Sequence, residues 1–549
     1  MADRFRSLER ERYDAVVVGA GMGGLVAAAL LAARGRSVLV VDQHYVAGGN
    51  ATVFRRPGYE FDVGIHYLGT CHDDGAIPRI LRAAGVHDVE FLPMDPEGFD
   101  TLVFPDFRFR VPGSFDGYRD RLVEHFPSER EGIDRYMRLL GDVQRLMRAA
   151  ARPMKLPGAL WRSRSALRWG GGTLGQFLDT CTRDPALRAV LAAENGDYAQ
   201  PPSRASLAMH AALMLHYLES GGYYPKGGGQ RISDALAASI ERAGGKVLLI
   251  TSVERISIES GRAVGVEIVN KHLGRRRVHA DVVISNADLK RTLLELVGPE
   301  HLPRRLTRRT EGFEMSPGLG VVYLGLQSDL KQRGLPNTNY WVYPSYDLET
   351  AYADTFAQRF NDAPFVYVSI ASLKDPANAR IAPAGHTNLQ LMSLAPSTPE
   401  AWGVRAPAFA DGSYRKSDAY KRHKEAYAAR LVGAAAAACG DLSRDIVFEE
   451  VATPLTHARY TRSTGGTSYG LALTPEQFLH RRPGPQTPIR GLYLCGASLR
   501  SGHGIMGAMM SGVFAAAEVA GRDVVAEAMT GKPPRRRHAE AEPLAGLGY

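Results

Sequence analysis

The sequence predicts an α/β protein: a Rossmann-like dinucleotide-binding domain carrying an inserted, mixed α+β domain. Three observations predict it. A β-branched run at 13–18 passes through Gly19, Gly21 and Gly24 into an Ala/Leu run at 25–33, and a second β-branched run at 37–41 ends on Asp42. No second strand–GxGxxG–helix unit follows. After a helical tract at 125–170, strand signals return at 317–327, 364–372 and 386–394.

The first unit has the order that dinucleotide binding requires. Gly19 allows the tight turn, and Gly21 lets a pyrophosphate approach the backbone at the helix N-terminus. Gly24 lets helix and strand pack closely, and Asp42 can accept a hydrogen bond from a ribose hydroxyl. Residues 170–175 match the same glycine spacing but follow a basic tract with no strand, so they are set aside.

Length and composition bound the remaining choices. The 549 residues are 45% hydrophobic and 23% charged, which excludes a disordered chain and leaves room for two to four domains. Cys71, Cys181, Cys439 and Cys495 lie far apart with no CxxC, so neither a zinc site nor a disulfide framework is expected. No metal is expected at His66, Cys71, His72, Asp73 and Asp74 either, because their spacing is not that of a ligand pair on one helix face. The net charge of +9 is gathered in patches: seven Lys and Arg with no acid at 143–170, and four more at 532–537. That pattern does not suit nucleic acid. The charged first twelve residues are not a secretory signal, and the apolar run 15–33 is explained by the glycine turn better than by a membrane span. A cytoplasmic location, peripheral to the inner face of a membrane, is the expectation.

Later motifs decide which dinucleotide. Gly48-Gly49 precedes Phe54 to Gly64; Gly227-Gly228-Gly229 precedes a helix at 232–243 and a strand tract through Val253; Gly491 to Gly496 leads to Gly502-His503-Gly504-Ile505 and an Ala-rich helix. In this order, across nearly the whole chain, they resemble the amine-oxidase-like flavoproteins of the glutathione-reductase-2 type. The resemblance implies FAD. It places Gly48 and Gly49 over the pyrophosphate, the Val253 backbone at the adenine, and Gly496, Gly504 and Ile505 at the isoalloxazine ring. Two positions depart from the pattern: Asn50 stands where Arg or Lys is usual, and Ala497 where many relatives have an acid. Within that superfamily, Phe61 to Gly69, Gly196-Asp197-Tyr198 with Pro201-Pro202, Ala208 to Ala211, Gly222 to Gly228 and Ala280 to Asn286 resemble the phytoene desaturase, carotenoid isomerase and retinol saturase group, retinol saturase most.

The resemblance implies a hydrophobic polyene, carotenoid or retinoid-like, whose C=C or C–C bonds exchange hydride with flavin N5. Saturation and desaturation also need a proton donor or acceptor, and His66, Tyr67 and Tyr223 are the candidates. Redox-neutral cis–trans isomerisation is the alternative; an amine oxidase or a non-enzymatic prenyl- or lipid-binding protein stand behind it. NAD(P)H stays open as an electron source, without a domain of its own. The expected organisation is a FAD domain of 1–75, 215–300 and 480–527, a substrate domain of 76–214 and 301–479, and a mobile tail at 528–549. The stretch 143–170, where Trp161 and Trp169 sit among the basic residues, is a candidate membrane-docking surface, with a solvated helix pair as the alternative.

Overall fold

The computed structural model describes residues 4, 8, 10–150 and 156–534. Arg152, Lys155 and the arginines of the tail, part of the expected basic patches, lie outside the described residues, as does most of the expected tail.

A sheet of seven strands carries the dinucleotide unit. Its parallel part runs Lys246–Leu248, Val38–Val41, Arg12–Val18, Gly274–Ser285 and Leu492–Leu494; Thr251–Glu259 and Arg262–Asn270 extend it as an antiparallel meander. The strand Val38–Val41 is buried along its whole length, as a sheet covered on both faces requires. The helix Met22–Ala32 is buried on every side, which its unbroken apolar sequence permits. It packs between the sheet and two further helices, Gln230–Arg242 and Gly504–Ala520. A Cβ on Gly24 would sit 2.2 Å from the Gly19 carbonyl oxygen, so glycine there sets how closely the helix approaches its strand.

A second seven-stranded sheet, largely antiparallel, runs Ile446–Ala452, Gly318–Leu326, Thr387–Ala395, Val366–Ser369, Asn339–Val342, Asp100–Val103 and Arg108–Val111. Helices Arg130–Ala150 and Leu207–Leu218 pack on one another beside it, and the hairpin Val53–Arg56/Tyr59–Asp62 lodges Phe54 and Phe61 in its core.

Packing crosses two of the expected borders. The helix Ala76–Ala83 buries Ile77, Ile80 and Leu81 in the same core as Leu25 and Ile232. The helix Asp523–Thr530 buries Val524 and Ala528 there too, and ordered chain crosses the expected border at 527. The tract 125–170 divides into Arg130–Ala150, Leu156–Arg162 and Arg164–Trp169 among the described residues. No described helix is long and apolar enough to cross a membrane.

Candidate functional site

Two cavities meet inside the molecule. The first, about 490 Å³, is a cleft along the ends of the parallel strands. Nine of the ten residues expected to hold a cofactor line it: Gly19, Gly21, Asp42, Gly48, Gly49, Val253, Gly496, Gly504 and Ile505. The tenth, Gly24, lies behind them in the helix–strand contact.

Local geometry explains why these positions form a cradle. The double-glycine loop lies directly on the first turn: the Gly48 amide donates to the Ala20 carbonyl at 2.7 Å, and a Cβ on Gly49 would stand 3.2 Å from the Gly21 Cα. Gly48 and Gly49 take φ of +131° and +61°, conformations that glycine adopts without strain. Asp42 ends its strand with one carboxylate oxygen accepting from the Ala20 amide at 2.7 Å and the other from the His44 amide at 2.8 Å. Burial raises its pKa, against the lowering effect of those amides. Gly504 opens the helix Gly504–Ala520 with no side-chain cap, and a Cβ there would meet nothing within 4 Å. Gly504 and Ile505 line the cavity, so this uncapped first turn borders it, a setting that favours partial negative charge.

Sequence reasoning missed one member of the cradle. The Asn286 side chain lies among three glycines: Cβ atoms on Gly21, Gly23 and Gly496 would approach its amide atoms at 2.6, 2.8 and 3.2 Å. Asn286 lies in a tract quoted for its resemblance, but its sequence carries no sign of this position.

The second cavity is a chamber of about 1770 Å³, larger than the few hundred to about 1,000 Å³ of ordinary ligand pockets. Apolar and aromatic side chains such as Met209, Leu213, Trp341, Phe365 and Phe478 line it. It shares Gly64, His66, Leu319, Met392, Tyr469, Gly504 and Ile505 with the cleft, so these mark the passage between the two. At its far end the chamber opens beside Met147 and Trp161, which are 53% and 70% exposed, with Arg145, Arg148 and Arg162 around them.

The structure treats the three catalytic candidates differently. His66 stands at the passage. Its Nδ1 is buried and unpartnered, and its ring meets Tyr367 edge-on at 6.0 Å. Burial, with Lys374 nearby, pushes its pKa down to about 3, so the imidazole is neutral at ordinary pH and does not serve as an imidazolium donor. Its carbonyl accepts from the Lys374 ammonium at 2.6 Å. Lys374, itself pushed down to about 7 by burial, thus anchors the His66 turn. Tyr67 forms part of the chamber wall and bonds to two acids, the buried Asp100 and the half-buried Asp197. Tyr223, the third candidate, lines neither of these two cavities. Its strand pairs with Phe91–Pro93, its ring packs on the dinucleotide-unit core, and the neighbouring Tyr224 turns inward to donate to Asp62 at 2.5 Å.

Comparison with known proteins agrees with this architecture. Residues 22–360 match the family described as flavin containing amine oxidoreductase. The chain is 29% identical to the all-trans-retinol 13,14-reductase of Danio rerio, over 95% of this chain and 88% of that one. It is 28% identical to a chloroplastic prolycopene isomerase of an Oncidium hybrid cultivar, over 93% and 84%. Among solved structures, an oxidoreductase from Methanosarcina mazei superposes with a TM-score of 0.60 at 17% identity, covering 91% of this chain and 98% of that one, which shows a shared fold.

Proposed function

Because the chain belongs to the flavin-containing amine oxidoreductase family, we propose that it is a FAD-dependent oxidoreductase acting on carbon–carbon double bonds of a long hydrophobic polyene, retinoid or carotenoid in type. The observation that carries this reading is the union of the two cavities: a large apolar chamber reaches the dinucleotide cleft at His66, Tyr469 and Ile505. A polyene is long, apolar and uncharged, and the chamber's aromatic walls suit it.

The residues present fit FAD. Gly21 and Gly49 would admit the pyrophosphate, Asp42 would take the ribose, and Val253 would meet the adenine. Gly496 and the opening turn at Gly504 and Ile505 would lie along the isoalloxazine ring. Asn50 and Ala497 leave this cradle intact: both line the cleft, and the Ala497 carbonyl is held by the buried Arg482 at 2.9 Å. When bound, FAD supplies a two-electron hydride donor and acceptor. The protein's own contribution is to lay one double bond at the passage, exclude water with the chamber walls, and hold a proton beside it.

Saturation of the bond is the favoured reaction. Cis–trans isomerisation is the second reading, favoured by the near full-length similarity to prolycopene isomerases. Incubating the reduced holoenzyme anaerobically with all-trans-retinol and with a carotenoid mixture separates the two. A product heavier by two hydrogens supports saturation, and an isomer of unchanged mass supports isomerisation. No change in any polyene defeats both.

The substrate's route would run from a membrane. The exposed Trp161 and Met147 with their arginines at the chamber mouth suit an anionic bilayer surface, where such a polyene dissolves.

A further inference from the structure

We propose that Asp100, Tyr67 and Asp197 form a proton store facing the chamber, and that Asp197 gives its proton to the alkene carbon adjacent to the one that receives hydride. The delivery step rests on the polyene reading above; the store rests on the hydrogen-bond geometry and the burial of these side chains.

The Tyr67 hydroxyl lies 2.8 Å from Asp197 Oδ2 and 3.1 Å from Asp100 Oδ2. A phenol has one proton and can donate to only one of them. The other contact is attractive only if that carboxyl is protonated and donates to the phenol oxygen. The surroundings say which it is. Asp100 accepts from Asn339 Nδ2 at 2.8 Å and from Trp341 Nε1 at 3.1 Å, fixed donors that favour its carboxylate form against the burial that raises its pKa to about 6. Tyr67 then donates to Asp100, and Asp197 carries the extra proton. Asp100 is thus a positioning residue, while Asp197 and Tyr67 belong to the chamber wall.

Burial keeps that proton in place against the hydroxyls of Tyr67 and Tyr217, two rings stacked at 4.5 Å whose hydrogen bonds to the carboxyl favour its charged form. The Glu194 carboxyl, one turn earlier, is buried without partners, and burial with the two aspartates nearby raises its own pKa well above the ordinary carboxylate range. No described cation forms an ion pair with Asp197, and Lys374 acts on Asp100 from the other side. Burial, with Asp100 beside it, brings Asp197 to about 7, so the carboxyl both gives and regains a proton near neutrality. His503 Nε2 donates to the Asp197 backbone carbonyl at 2.6 Å, and His503 directly precedes the helix whose first turn forms the passage. Its pKa, lowered to about 4 chiefly by burial, keeps that ring neutral. The acid is thereby tied to the element that opens on the hydride-transfer locus.

In the saturating direction, hydride from the reduced flavin forms a C–H bond at one alkene carbon. The Asp197 O–H bond breaks to form the second C–H bond. The π bond is lost, the polyene is reduced by two electrons, and the reduced flavin is the reductant. Asp197 is left as a carboxylate that accepts from Tyr67 until it regains a proton from solvent.

Infrared spectroscopy of the full-length holoenzyme tests the store without turnover. The expected result is a protonated-carboxyl band that shifts in D2O, fades with a midpoint near pH 7, is lost in Asp197→Asn, and persists in Asp197→Glu and Glu194→Gln. Reoxidation of the reduced enzyme by all-trans-retinol should slow about 10²- to 10⁴-fold in Asp197→Asn, the usual range for losing a general acid, and recover in part in Asp197→Glu. A band pattern unchanged in Asp197→Asn overturns the store; wild-type reoxidation by that variant overturns delivery. If no polyene reoxidises the wild type, the function reading and the delivery step fall together, while the band still decides the store.

Discussion

The amide of Asn286 stands 2.6 Å from the point a Cβ on Gly21 would occupy. The glycine of the first turn is therefore required twice: for a cofactor's approach, and for a side chain that crosses from the strand end behind it. Gly21→Ala should overpack this contact. A loss of about 1–3 kcal/mol in urea unfolding is expected, together with loss of bound flavin on gel filtration. Gly21→Ala/Asn286→Ala should recover stability, because the nearest obstacle is the end of that side chain.

His66 should act as a neutral group. His66→Gln is expected to keep bound flavin and lower polyene turnover. The wild-type rate should show no inflection from this ring between pH 5 and 8, since its pKa is held at about 3. A comparison of the two pH profiles checks this: a limb near pH 6.5 present only in the wild type would assign the ring a titrating role.

Asp197 should leave a mark on stability. Its pKa is raised from the ordinary carboxylate range to about 7, so between about pH 4 and 7 the folded chain binds more protons at this site than the unfolded chain. This site's contribution therefore falls as pH rises through that window. Asn in its place does not titrate. The Tm of Asp197→Asn minus that of the wild type should increase from pH 4 to 7 and level off above, as thermal melts across that range would record.

The chamber mouth should bind anionic bilayers. Sedimentation with vesicles containing phosphatidylserine should pellet the protein at low salt and less at high salt. Trp161→Ala should weaken pelleting without changing the flavin spectrum, because Trp161 lies at the mouth, away from the cleft.

Much of the cleft's lining was legible because its cues are local. Glycines at fixed spacing, a strand end and a helix start sit within short stretches of chain, and they fold together wherever the strand and helix form. The acid store was not legible. Asp100 meets Asn339 through the parallel pairing of strands more than two hundred residues apart, and no local pattern specifies that register. Tyr223 and Tyr224 show a different limit. Neighbours on a strand face opposite ways, and here neither face of that strand meets the chamber. The packing across residue 75 was not legible either, because the helix Ala76–Ala83 is amphipathic, and either core could have taken its apolar face.

The central claim is a flavin that exchanges electrons with a polyene across the passage at His66 and Ile505. Its most direct test is the absorption spectrum of the purified protein, oxidised, then reduced anaerobically with dithionite, then mixed with all-trans-retinol or a carotenoid mixture. The account predicts a flavin band that bleaches on reduction and returns as the polyene loses a double bond. The absence of a flavin band even after adding FAD, or a reduced band that no polyene restores, would contradict it.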